Sequence, residues 1–205
     1  MNYSVLKSVL CFICVLTLLS GCTEQAFNGS LYALDLQREC IKSDVKLDVK
    51  LNVRRFLVDT MFARRELVYK HGPLEYKIDH YNKFVIEPGQ MITEKTRNWL
   101  RQAGIFTQIV EQGSLCTPTH FLEGNITALY GDFQDKDKPA ALVEIRIFLI
   151  KQDRHTESVL FSKTYKQRVT LQTPDALGLT AGYNTCFLQI LRQLENDISS
   201  LQNLK

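Results

Sequence analysis

A thiol placed to receive a lipid is the clearest piece of chemistry in this chain. Leu19-Ser20-Gly21-Cys22 closes an apolar N-terminal run and matches a bacterial lipobox. Lys7 supplies positive charge upstream, and Val9 to Leu19 is almost wholly apolar. That run has signal-peptide length and falls short of a membrane span of roughly 20 residues. Small Ser20 and Gly21 let a peptidase grip the extended chain, and Cys22 supplies the sulfur for a thioether to diacylglycerol. The expectation is that residues 1–21 are a lipoprotein signal peptide, 22–30 a lipid-anchored tether and 31–205 a single α+β domain. Acyl chains such as palmitate would then hold the mature protein to a membrane. Thr23 stands where an Asp would retain a lipoprotein at the inner membrane in enterobacterial-type sorting. Its presence points to the periplasmic face of the outer membrane.

The remaining reactive side chains do not assemble into a catalytic pattern. His71, His80, His120 and His155 are scattered, with no His-Glu-x-x-His and no spacing that puts two on one helix face. Cys116 and His120 are four apart, but nothing orients them as a nucleophile and base. They read as a turn cysteine beside a surface histidine. Asp79 and His80 adjoin Tyr81, yet neighbours on an extended chain point to opposite faces. No phosphate-cradling glycine loop, metal motif or cofactor motif is present, so the reading is of a protein that is not an enzyme.

Three cysteines follow Cys22. Cys186 lies on a helical apolar stripe and reads as a small buried hydrophobe. Cys40 and Cys116 lie in turn-like stretches and form the candidate disulfide, which an exported address permits. A net charge of +3 on 25 basic and 22 acidic residues gives no support to a nucleic-acid partner. Hydrophobic content of 45% suits a folded core. Arg54-Arg55 and Arg64-Arg65, with Lys50, are the material for a basic patch, although dispersed charges of this kind are usually solvated.

Elements must position these groups. Leu31 to Leu36 reads as a short strand, and Leu47, Val49, Leu51 and Val53 alternate with polar residues along a half-buried one. Residues 66–70 and 74–78 flank His71-Gly72-Pro73 as a hairpin. Pro88 to Ala103 reads as a helix, with Pro88 in its first turn and Gly104 as its C-terminal cap. Ile105 to Val110 is a short strand. Longer strands follow at 121–133, where Gly124 marks a bulge or a close approach, and at 141–150 and 159–171. In the last, Val159, Phe161, Tyr165, Val169 and Leu171 share one parity. A long helix from Thr173 to Leu201 closes the chain, with Pro174 in its first turn and Asp175 against the positive end of its dipole. The expected fold is α+β: a mostly antiparallel or mixed sheet with two helices on one face.

Taken in order, several phrases resemble the auxiliary lipoprotein family of ABC-type lipid transport systems that work with MCE (mammalian cell entry) domain proteins, the paraquat-inducible type. They are Leu31-Tyr32-Ala33-Leu34, residues 51–56, residues 62–70, Tyr76, Asp79, Tyr81, Phe84, Pro88, residues 91–93 and Asn98-Trp99-Leu100. Leu122-Glu123-Gly124, residues 129–133 and the terminal helix complete the series. The resemblance implies an outer-membrane-tethered, non-catalytic component with Cys22 as anchor. It would dock a periplasm-spanning MCE protein, while a separate permease and ATPase supply energy. A homo-oligomeric ring would suit a collar around a tunnel. No catalytic or lipid-contacting residue transfers, and Cys40, Cys116 and Cys186 lie outside the pattern.

Tyrosine and arginine are enriched at protein interfaces. The hairpin bearing Arg64, Arg65, Tyr69, Tyr76 and Tyr81 is therefore the candidate partner interface. A competing reading has the tyrosines covering the core edge. A different class of function is an envelope assembly or scaffolding lipoprotein similar to the one that plugs the lipopolysaccharide translocon. A lipid-anchored hydrolase has no nucleophile–base arrangement to support it.

Overall fold

Period-two alternation builds the sheet that organises this molecule. The computed structural model describes residues 29–38, 46–111, 113–153 and 156–201. Its strands are β1 (Ser30–Tyr32), β2 (Leu47–Val53), β3 (Leu57–Val58), β4 (Glu66–Lys70), β5 (Tyr76–Phe84), β6 (Phe106–Val110), β7 (His120–Asp132), β8 (Ala140–Gln152) and β9 (Glu157–Thr170). Helices α1 (Pro88–Ala103) and α2 (Ala176–Ser199) complete it. In β2, Val49, Leu51 and Val53 are buried while Asp48 and Lys50 are exposed, as alternation requires.

All nine strands belong to one mixed sheet. The long ladders are antiparallel: β7 pairs with β8 from end to end, and β8 with β9. The other edge of β7 carries three short parallel partners in succession. Leu51 to Val53 face His120 to Leu122, Leu57 and Val58 face Asn125 and Ile126, and Tyr69 and Lys70 face Gly131 and Asp132. Outside β2 lies β6, parallel to it. Outside β4 lies β5, its antiparallel hairpin partner, and then β1, parallel to β5.

Both helices cover one face. α1 packs on β2, β3 and β6, α2 on β8 and β9, and the helices touch each other. Beneath them lie Val143, Ile145, Ile147 and Leu149 of β8, which are fully buried. Gly104 ends α1 in the left-handed conformation (φ 70°), its N–H bonded to Leu100 O at 3.3 Å, because no Cβ opposes that geometry. Gly124 is a close approach: a Cβ there would stand 2.8 Å from the Phe56 ring. The irregularity in that ladder lies further on, between Ile126 and Ala128.

Two details differ from the sequence reading. Pro174 stands outside α2, whose N-cap is Asp175. Its carboxylate accepts from Gly178 N at 2.7 Å, so the cap and not the proline sets the start. A bulge between Leu149 and Ile150 of the β8–β9 ladder breaks the parity of β9, leaving Val159 exposed while Phe161 packs against the core. The polar face of α2 is also tied into the structure. Glu195 accepts Arg38 Nε at 2.9 Å and Nη2 at 2.6 Å, together with Trp99 Nε1 at 2.7 Å. Asp197 accepts from Lys163 Nζ and Tyr165 Oη, each at 2.7 Å.

Glu195 therefore joins the segment after β1, α1 and α2 through one carboxylate. Removing it takes the carboxylate away from a largely buried guanidinium and an indole N–H. Glu195→Ala is expected to lower stability by about 3 kcal/mol, read from urea unfolding. Glu195→Gln, which keeps an acceptor for Trp99, should lose less.

Candidate docking surface

The hairpin residues expected to share an interface are divided by strand register. Tyr69 lies opposite Lys77, and Lys70 opposite Tyr76, so the two tyrosines point to opposite faces of the sheet. Tyr69 is level with Gly131, which lies under Leu179 of α2, and therefore faces the helices. Its ring meets Phe133 edge-on at 5.2 Å and its hydroxyl donates to Asp79 Oδ2 at 3.3 Å. Burial, then the adjacent Asp79 charge, pushes this phenol well above its usual range.

Tyr76 stands on the helix-free face. It packs at 5.7 Å against Tyr130 and at 6.4 Å against Phe62, which itself stacks on Tyr130 at 5.8 Å. Lys70 Nζ lies 5.5 Å from the Tyr76 ring and 5.7 Å from that of Tyr130. Both tyrosines thus finish the edges of the core. Arg65 is committed locally, its Nε donating to Phe84 O at 2.7 Å. Arg64 and Tyr81 are the exposed members of the set, Tyr81 at 66%.

Asp79 explains the exposure of Tyr81. Its Oδ1 accepts from Tyr81 N at 2.9 Å and Asn82 N at 3.0 Å, while Oδ2 accepts Asn82 Nδ2 at 2.8 Å. These bonds hold an irregularity in β5, where the ladder jumps from Leu67–Asp79 to Glu66–Lys83. Burial works to raise the Asp79 carboxyl, but the Asn82 and Tyr81 donors hold it below the usual range. An aspartate three residues before an asparagine is the one sequence sign of this device.

Beside the irregularity lies an open groove of about 470 Å³, lined by Thr60, Ala63, Arg64, Arg65, Glu66, Lys83 and Glu87. Lys83 Nζ pairs with Glu66 at 3.1 Å, and Arg55 pairs with Glu87. The Glu66 carboxyl is held low by a backbone hydrogen bond and then by Lys83. The basic doublets are split accordingly. Arg64 and Arg65 line this groove and Arg55 pairs with Glu87 of its lining, whereas Arg54 lies over the Phe121 ring at 4.1 Å and pairs with Glu123 at 2.5 Å. Guanidinium groups lining a shallow groove suit the holding of carboxylates.

Cys22, Cys40 and His155 lie outside the described residues. Cys116 is half-buried, with Sγ 3.5 Å from Gln108 Oε1. Cys186 is fully buried, and burial pushes its thiol up to about 12. His120 corrects the surface reading: it is 3% exposed, with Nδ1 2.9 Å from Thr119 Oγ1 and its buried Nε2 without a protein partner. Among the described residues no group of three or more His, Cys, Asp or Glu could hold a metal ion. None of their helices is long and apolar enough to cross a membrane.

No protein-family model and no curated protein matches the sequence. Solved structures match the fold. Protein XCC0632 of Xanthomonas campestris, from family DUF330, superposes with a TM-score of 0.74 at 14% identity, over 85% of this chain and 98% of its own. An uncharacterised protein gives 0.65 at 16% identity, over 83% and 99%. Hypothetical protein CT253 of Chlamydia trachomatis gives 0.55 at 8% identity, over 78% and 100%. At these identities the likeness is one of fold: an α+β arrangement spanning essentially the whole of each of those chains.

Burial, and then the nearby Lys151 charge, lowers the His120 pKa below 6.5. The unfolded chain therefore takes up the proton first, so stability contributed by neutral His120 is lost as pH falls below about 6.5. Thermal unfolding between pH 7.5 and 5 should show a falling midpoint, with a shallower slope in His120→Gln.

Proposed function

We propose that this chain is an envelope lipoprotein, anchored through Cys22 on the periplasmic face of the outer membrane. It acts as a non-catalytic auxiliary component of an ABC-type, MCE-linked transport system for lipid or another hydrophobic solute, and docks the MCE protein that bridges the periplasm. The observation that carries this reading is the lipobox at Leu19–Cys22 followed by the family-like phrases in order along residues 31–201. An α+β fold with DUF330 likeness is compatible with it.

Within this reading the docking surface is the groove around Arg55, Arg64 and Arg65 with exposed Tyr81 beside it, and its partner presents carboxylates. Arg64 and Tyr81 are the appropriate test positions, because Arg65, Tyr69 and Tyr76 also hold the hairpin together.

The test is crosslinking of the acylated protein in native membranes followed by its recovery. An MCE-domain protein should be the main partner, and Arg64→Glu with Tyr81→Ala should cut its yield about tenfold while the melting temperature stays unchanged. Membranes yielding no MCE protein overturn the transport reading, and an undiminished yield from the double variant moves docking elsewhere.

A further inference from the structure

We propose that the β4–β5 hairpin tip is a second membrane contact, with Leu74 entering the interfacial layer of the bilayer that carries the lipid anchor. The proposal rests on acylation of Cys22.

Strand direction supplies the first observation. β1 runs parallel to β5, with Ser30 opposite Asn82 and Tyr32 opposite Phe84. Followed backwards from Ser30, the chain leaves the sheet toward Tyr76, the start of β5 and the base of the hairpin turn. Depth supplies the second. From Asn82 back to Tyr76 is six strand residues, about 20 Å, and the turn His71–Glu75 extends beyond that. The eight residues from Thr23 to Ser30 reach about 26 Å when fully extended. Even fully extended, a tether of this length reaches no farther than about the level of the hairpin tip. A bilayer holding the acyl chains of Cys22 cannot stand off from this end of the molecule by more than a few ångströms.

The hairpin end presents an apolar point between exposed His71 and the Glu75–Lys77 ion pair. Leu74 is 96% exposed at the tip, beside exposed Pro73. Leu177, in the first turn of α2 at the same end of the sheet, is 66% exposed. Around them the turn at 133–139 alternates Asp135, Lys136, Asp137 and Lys138, a nearly neutral rim that fits zwitterionic headgroups. An isolated exposed leucine carries no message by itself. Leu115, fully exposed in the loop before β7, is at the opposite end of a strand about 40 Å long. Its position makes it the natural control.

The experiment uses full-length acylated protein in vesicles of phosphatidylethanolamine and phosphatidylglycerol (3:1) doped with a bromine-labelled phosphatidylcholine. Indoles are introduced by Leu74→Trp or Leu115→Trp, and buried Trp99 gives a constant background. Emission added by Leu74→Trp should shift to the blue and fall about twofold with brominated lipid, while that from Leu115→Trp stays accessible to iodide and unquenched. If Leu74→Trp behaves like Leu115→Trp in acylated, vesicle-bound protein, the hairpin contact is overturned and the lipoprotein reading stands. If mass spectrometry finds Cys22 bare, the lipoprotein reading falls and the contact argued from it falls too.

Discussion

The ladder of β7 is the constraint from which the rest follows. One of its edges is committed over its whole length to β8, and through β8 to β9. Its other edge accepts β2, β3 and β4 one after another, so residues 51–70 run beside it like a single strand interrupted twice. Those interruptions do structural work. One carries Phe56 against Gly124, and Phe56 N donates to Thr93 Oγ1 of α1 at 2.8 Å. The other carries Phe62 onto the helix-free face, where it meets Tyr76 and Tyr130. A backbone that detoured at neither point would deprive α1 of its bond to Phe56 N and the open face of Phe62.

Local pattern and tertiary context divide what was legible beforehand. α1 spans Pro88–Ala103 as the sequence indicates, because a proline suited to the first turn and a glycine suited to the cap fix both ends chemically. β2 was equally plain, since its alternation survives burial intact. Parallel pairing along β7 leaves no local mark, because period two is the same whichever way the neighbour runs. Nor does the bulge at the β8–β9 ladder, which reverses the faces of Val159 and Phe161 against simple parity.

The candidate surface shows the same division. Tyr69 and Tyr76 look equivalent in the sequence, seven residues apart on a hairpin, and only the register reveals that they serve opposite faces. Arg64 and Arg65 are adjacent, yet one is exposed and the other caps a strand end through Phe84 O. His120 sits at a strand start where polar residues are ordinary, and its burial depends on neighbours far along the chain. In the groove Lys83 is met by Glu66, and Arg55 by Glu87, so it is defined by arrangement more than by net sign.

The burial of Cys186 has a consequence for redox chemistry. A thiol with its pKa near 12 is ionised at neutral pH to about one part in 10⁵. Since only the thiolate attacks a disulfide, the folded chain can carry this sulfur through an oxidising compartment without offering it to exchange enzymes. Its vulnerable interval ends when α2 seats on β8 and Sγ comes to rest 3.8 Å from Ala141 O. Closing the core therefore also withdraws this one sulfur from exchange, and slow seating of that last helix would prolong its exposure to mixed-disulfide capture.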